Sequence, residues 1–307
     1  MARGKTYIVR VPATTANIGS GFDTLGMSLG LYNVVQVVPD ENVKLEDTMI
    51  DAEGEGVDQI TTGLDNMIIK AMDVTASKAG RTLPGGSMYL INRIPFARGL
   101  GSSSAALASG LLLAILLMGE PFHRKELLDM TAEMDGHPDN AAPAILGGFC
   151  MALIENGNVV AERIDIPSQW KAVVAIPDFE LHTEKARAVL PASYVRSDVV
   201  HNIGAVSFLM AAFMYNKPEY LKFGLDDHVH VPYRLGLIPG SEEVIRSSVK
   251  AGAYGATISG SGPTIIAFSP SDKAHLVGES MVSTFKHHGI TSSYIVLDFD
   301  KSGISAV

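Results

Sequence analysis

The stretch Pro95-Phe96-Ala97-Arg98-Gly99-Leu100-Gly101-Ser102-Ser103-Ser104-Ala105-Ala106 holds the residue types and spacing that most directly suggest chemistry. It follows a strand-like run and opens into a long apolar segment of helical character. Gly99 and Gly101 leave room for an anion to approach the backbone. Ser102, Ser103 and Ser104 offer a helix cap and hydroxyl donors. The first amides of a helix have no partner within it, and the helix dipole favours negative charge there. Together these features predict a phosphate cradle. The chain contains no Gly-x-x-x-x-Gly-Lys-Ser/Thr pattern, so this is not a Walker loop. A Gly/Ser turn that only caps a core helix is the plain alternative. It explains a bare Gly-x-Gly-Ser better than the whole string between strand and helix. A larger residue at Gly101 is expected to exclude phosphate and leave the helix intact.

The string resembles the ATP-phosphate motif of the GHMP kinases. Two further stretches agree with that family in order and position: Val11-Pro12-Ala13-Thr14-Thr15-Ala16-Asn17-Ile18-Gly19-Ser20-Gly21-Phe22-Asp23 and Gly252-Ala253-Tyr254-Gly255-Ala256-Thr257-Ile258-Ser259-Gly260-Ser261-Gly262-Pro263-Thr264. The three motifs run from residue 11 to 264, nearly the whole chain. The first, with His137-Pro138-Asp139-Asn140-Ala141-Ala142-Pro143, is similar to the homoserine-phosphorylating branch in particular.

The resemblance implies an α+β fold of two domains, S5-like over residues 1–165 and ferredoxin-like over 166–307, with ligands in the cleft between them. It implies ATP on the loop from Pro95 to Ala105, with Asn66 near the adenine. It implies L-homoserine beside Asn17, Asp23, His137, Asn140, Arg187, His201, Arg234 and Gly260. Mg²⁺ would sit on Glu133 and Ser103, with Asp129 and Asp135 as the other acidic candidates. The implied reaction is phosphorylation of the L-homoserine hydroxyl to O-phospho-L-homoserine, a step in threonine biosynthesis.

The residues themselves suit that chemistry. Homoserine carries an ammonium, a carboxylate and a hydroxyl. Asp23 can hold the first, and Arg187 and Arg234 can fork onto the second. Asn17 and Asn140 can orient the hydroxyl or the transferred phosphoryl group. Some GHMP kinases resemble one another in placing an Asp where Asn140 stands, and Asn cannot take a proton. Phosphoryl transfer through a loose transition state depends on positioning and charge neutralisation, so a strong base is dispensable. Ser103, the cation and Arg98 would then stabilise charge. Each residue also has an ordinary role available: Asn17 or Asp65 as a cap, Glu133 or either Arg as a solvated charge. Two rival readings stand: another GHMP small-molecule kinase, and a GHMP-fold sensor that binds ligand without turnover.

The elements that would position these residues are legible in the hydrophobic pattern. Strand-like runs fall at residues 7–11, 34–38, 88–94, 149–154, 159–164, 172–176, 264–268 and 294–299. Helical patterns fit 66–78, 102–118, 125–134, 196–215, 241–249 and 272–287. Strands come in groups and do not alternate strictly with helices, which favours α+β over a doubly wound sheet. Asp165-Ile166-Pro167-Ser168 marks the expected domain boundary.

Composition excludes several classes. A chain of 307 residues, 47% hydrophobic, can bury a large core without disulfides. The net charge of −9, with no basic block, argues against nucleic acid or an anionic membrane as partner. The sole cysteine, Cys150, lies in an apolar run and is expected to be buried filler. Met1 to Lys5 lead straight into a strand, unlike a signal peptide. The apolar run Ala105–Met118 is shorter than the ~20 residues a membrane span needs, so it is expected to be a core helix. A cytoplasmic location is expected, and a homodimer is compatible with the sequence.

Overall fold

The computed structural model describes residues 5–307; Met1 to Gly4 lie outside the described residues. The first half of the chain folds as β1 (Tyr7–Ala16), β2 (Leu25–Lys44), β3 (Met49–Gly54), α1 (Met67–Lys78), β4 (Pro84–Asn92), α2 (Ser102–Met118), α3 (Arg124–Asp135), α4 (Pro138–Leu146), β5 (Phe149–Glu155) and β6 (Asn158–Ile164). There follow β7 (Trp170–Pro177), α5 (Thr183–Ala188), α6 (Arg196–Met214), α7 (Leu221–Gly224), α8 (Val231–Leu235), α9 (Ser241–Lys250), β8 (Gly255–Ile258), β9 (Ile265–Pro270), α10 (Ala274–His287), β10 (Ser292–Leu297) and β11 (Ser305–Ala306).

β2 organises the first sheet because it is long enough to serve three partners. It pairs with β1 from Gly26 to Val37, with β5 at its start and with β4 over its later half. The sheet runs β11-β1-β2-β4-β3, with β5 and β6 attached through β2. The second sheet has the order β10-β7-β9-β8, every pair antiparallel. Numbered within that unit the order is 4-1-3-2, with α10 between the third and fourth strands, which is the ferredoxin-like topology. The chain crosses from one sheet to the other between Ile164 and Trp170. The tail then returns to the first sheet through β11, paired with Val9 and Arg10.

Burial follows from sequence pattern. α2 is apolar on all faces along most of its length, and most of it is buried, as a central core helix should be. α4 approaches β2 at Gly26, where a Cβ would stand 1.8 Å from the Asp139 carbonyl oxygen. That contact requires glycine, and it seats the start of α4 at the sheet. Phe149, Phe213 and Trp170 join the two units, with ring centroids 4.8 and 5.0 Å apart along the series. Cys150 is buried, and burial pushes its thiol up to about 12, so it serves as packing. Among the described residues, the helix long and apolar enough to span a bilayer is α6, not Ala105–Met118. It nevertheless packs Leu209, Ala212 and Phe213 into the protein core.

Candidate active site

The phosphate-loop string lies between β4 and α2. Ala97, Gly99 and Gly101 all have positive φ, at 49°, 74° and 72°. Alternation of left-handed residues curls the backbone so that successive N–H groups face one concavity, an anion nest. Gly101 is the N-cap of α2, and no side chain caps that helix. Its first amides therefore remain available to a ligand. This corrects the expectation that the serines supply the cap.

Glycine at 101 has a second cause. A Cβ there would stand 1.9 Å from the Thr14 hydroxyl, so the loop is packed against β1. A larger residue would disturb the fold as well as the phosphate site, contrary to the expectation of an intact helix.

A cleft of about 620 Å³ opens in front of this nest. It is lined from the first half by Asn17, Asp23, Ser103, Asp135, His137 and Asn140, and from the second by Thr183, Arg187, Arg234 and Gly260, among others. On the other side of Ser102 and Ser103 lies a largely apolar cavity of about 260 Å³, lined by Val35, Ile60, Asn66, Ile68, Leu90, Phe96 and Ala105. The nest thus sits between an apolar pocket of a size suited to a nucleobase and a charged cleft. Asn66 lines the apolar pocket, and it, not Asp65 as expected, is the N-cap of α1: its Oδ1 accepts from the Ile68 amide at 2.9 Å. Within the string, Leu100 is buried, and its carbonyl accepts from the Thr14 amide at 3.1 Å. Pro95 and Arg98 face a third, polar hollow. Arg98 lies 3.7 Å from Glu180, so it is turned away from the cleft and is not placed to stabilise phosphate charge.

The expected metal carboxylate is corrected in the same way. Glu133 lies outside the cleft lining and pairs with Lys78 at 2.6 Å, because its position on α3 points toward α1. Asp135, two residues on, accepts hydrogen bonds from the hydroxyls of Ser103, at 2.8 Å, and Ser104. Asp129 is tied to Lys125 and to the Val159 amide. A carboxylate with two adjacent hydroxyls, beside a helix N-terminus, is a hard-oxygen set that fits Mg²⁺.

The loop from Asn17 to Asp23 places a carboxylate, that of Asp23, in the cleft lining. Asn17, Ile18 and Asp23 have φ of 69°, 49° and 53°, a concentration of strained non-glycine residues such as functional sites retain. Asn17 maintains it: its Nδ2 donates to the Gly260 carbonyl at 2.9 Å, and its Oδ1 accepts from the Asp23 amide at 2.9 Å. These bonds use one Nδ2 hydrogen and one Oδ1 lone pair, so Asn17 shapes the loop and still lines the cleft. Asp23 receives both Arg187 nitrogens, at 2.9 and 2.8 Å. Arg234 is buried, donates to the carbonyls of Ala186 and Gly260, and lies over the Phe22 ring.

Asn140 faces the nest from α4. Its Oδ1 accepts from Thr14 Oγ1 at 2.7 Å, so its amino group is turned to the cleft side. His137 Nδ1 lies 3.0 Å from the Asp139 carboxylate. Hydrogen bonding to Asp139 raises the His137 pKa, against an opposing effect of burial.

His201 is not in the cleft. Its Nε2 meets the Asp226 carbonyl at 3.0 Å, and its ring stacks on His228. α6 holds it against Asp226 and His228, apart from the residues that line the cleft. His201, Asp226 and His228 have the composition of a metal site. However, the two imidazoles are 3.8 Å apart and only 15° from parallel. One ion cannot lie in both ring planes as they stand. Thr14, Asp139 and His230 were missed in the sequence. The first two lie inside the quoted motifs; His230 lies outside them, and only the fold brings it near.

Residues 66–148 match the family described as GHMP kinases N terminal domain, and residues 219–287 match GHMP kinases C terminal. The homoserine kinase of Carboxydothermus hydrogenoformans is 42% identical over 94% of this chain and 92% of that protein. That of Synechocystis sp. is 41% identical over 97% of both. The crystal structure of homoserine kinase from Cytophaga hutchinsonii superposes with a TM-score of 0.89 at 28% identity, covering 100% of this chain and 99% of that one. With the nest and the charged cleft, these likenesses define the class: an ATP-dependent small-molecule kinase. The chain belongs to the homoserine kinases of the GHMP kinase family.

Proposed function

We propose that the cleft binds L-homoserine as a zwitterion and that its hydroxyl attacks the γ-phosphorus of ATP, giving O-phospho-L-homoserine. The observation that carries this reading is the Asp23–Arg187 pair in front of the nest. It presents one anion and one cation to a ligand that must bring one of each. Asp23 holds the ammonium, and Arg187 with Arg234 holds the carboxylate. The apolar pocket takes the adenine, and the α2 amides take the phosphates.

Asp135, with Ser103 and Ser104, is the set that would hold Mg²⁺, which supplies charge neutralisation on the phosphates when bound. Asn140 positions the hydroxyl or the phosphoryl group through its amino group, which is otherwise held only by a long bond to Asp139 Oδ1 at 3.5 Å. As an amide it cannot accept the hydroxyl proton, so that proton passes to a phosphate oxygen or water. Positioning and fixed dipoles then supply most of the acceleration.

The test is ADP release with homoserine, mevalonate and galactose offered in turn. Homoserine should be the preferred substrate, and a preference for either amine-free alcohol would overturn the assignment.

A further inference from the structure

Among the described residues, His230 is a fully buried imidazole for which the reaction above has no use. It stands just before α8 and is fixed from both ends. Its own amide and that of Val231 donate to Asp227 Oδ2, each at 2.7 Å. Its ring stacks on Phe22, with centroids 5.0 Å apart and planes at 25°. Nε2 lies 2.8 Å from the Gly19 carbonyl oxygen, and Nδ1 lies 3.2 Å from Arg234 Nη1.

These contacts determine the tautomer. An arginine in a protein has only donors and stays charged, so Nδ1 must accept. A carbonyl only accepts, so Nε2 must carry the proton. Both ring nitrogens are satisfied only in the neutral imidazole. Burial acts in the same direction and lowers the pKa to about 4.

We infer that His230 is a positioning residue that sets the Arg234 guanidinium and the Asn17–Asp23 loop in mutual register, so that the carboxylate and ammonium partners of the substrate are held at one spacing. The inference rests on the homoserine reading of the cleft. His230 joins two elements distant in sequence: Gly19 belongs to the β1–β2 loop, and Arg234 to α8 in the other half of the chain. Gly260, which accepts from both Asn17 and Arg234, closes the same circuit on its far side. Without His230, Arg234 would keep its bonds to Ala186 and Gly260 and its place over the Phe22 ring, but lose the hydrogen-bonded bridge to Gly19 that fixes its guanidinium against the start of the loop.

Three substitutions separate the contacts. His230→Phe keeps the ring against Phe22 and loses both hydrogen bonds. His230→Asn places an amide oxygen near the Nδ1 position and keeps the acceptor for Arg234. His230→Gln places an amide N–H near the Nε2 position and keeps the donor to Gly19. His230→Phe should raise KM for homoserine on the order of ten- to a hundredfold, with KM for ATP little changed. His230→Asn should recover most of that loss and His230→Gln less. If His230→Phe fails to fold, the Asn/Gln pair decides alone.

Equal changes in both KM values, or no change in either, would overturn the inference. So would recovery by Gln but not by Asn. A substrate-independent readout is rotation about the Arg234 Nε–Cζ bond, followed by NMR on labelled arginine. It should be slow in the parent protein and His230→Asn, and fast in His230→Phe. If the parent protein fails to phosphorylate homoserine, the substrate reading fails, whereas the NMR comparison still judges the role of His230.

Discussion

Asp23 and Arg187 form a two-pronged ion pair across the cleft, one from the β1–β2 loop and the other from α5. On the proposed reading, each is the group that would meet one end of the amino-acid substrate. Here they satisfy each other, and a zwitterion could replace both partners at once. A ligand with a single charge would open the pair and leave one member unmatched, which is costly for a charged hydrogen-bonding group.

The pair therefore predicts a particular pattern of losses. Asp23→Asn should reduce kcat/KM for homoserine by about 10- to 100-fold, as expected for a hydrogen bond to a charged group. KM for ATP should hardly move. Both side chains are over a third exposed, so the pair itself adds little to stability and the melting temperature should stay near the parent value. An equal loss for both substrates, measured by steady-state kinetics, would show that Asp23 serves the fold of the loop instead.

Two acidic variants should separate the metal candidates. Asp135→Asn keeps an acceptor for the serine hydroxyls but removes the charge. Turnover should fall by the equivalent of about 3 kcal/mol, the scale of one lost transition-state charge interaction. Glu133→Gln breaks only an exposed pair with Lys78, so activity and its Mg²⁺ dependence should stay close to the parent protein. The reverse ranking in a Mg²⁺ titration of turnover would return the role to Glu133.

Gly101→Ala is expected to damage both function and fold. Its left-handed φ costs an L residue about 1–2 kcal/mol, and the added methyl meets Thr14 Oγ1. Nucleotide affinity should drop and the melting temperature should fall with it. Calorimetry showing lost ATP binding at an unchanged melting temperature would mean that Thr14 moves aside freely.

The sequence revealed the phosphate nest because its meaning is local: glycine, serine and helix onset lie within one dozen residues. It revealed the cleft residues of the three motifs for the same reason. It erred where direction decides the outcome. Glu133 and Asp135 differ by two positions on one helix, and about 200° of rotation separates them, so one meets Lys78 and the other the serines. Arg98 sits inside the motif yet turns toward Glu180. α4 was not legible as a helix, because Pro138 and Pro143 argue against one, although Pro138 stands at its first turn, where proline is tolerated. β3 is an edge strand whose apolar–polar alternation lasts only from Ile50 to Glu53, too short and too exposed to stand out in the sequence. His230 could be found only once the fold had joined Gly19 to Arg234.

His137 offers a pH-dependent test of the cleft. Its pKa is raised above 6.5, first by hydrogen bonding to Asp139, against burial, with the Asp139 and Asp135 charges adding to the rise and Arg187 opposing it. The folded protein therefore binds that proton more tightly than the unfolded chain. The resulting stability is fully present below the unfolded value and is lost as pH rises through the folded one. His137→Gln, which has the shape but no titration, should be most destabilised relative to the parent protein below about pH 6. The gap should narrow steadily toward pH 9, where the parent imidazole is neutral in both states. Urea unfolding of both proteins across that range, with equal m values, measures it directly. A gap that stays constant with pH would mean that His137 contributes through packing alone, and one that widens toward alkaline pH would mean that its proton is held less tightly in the folded protein.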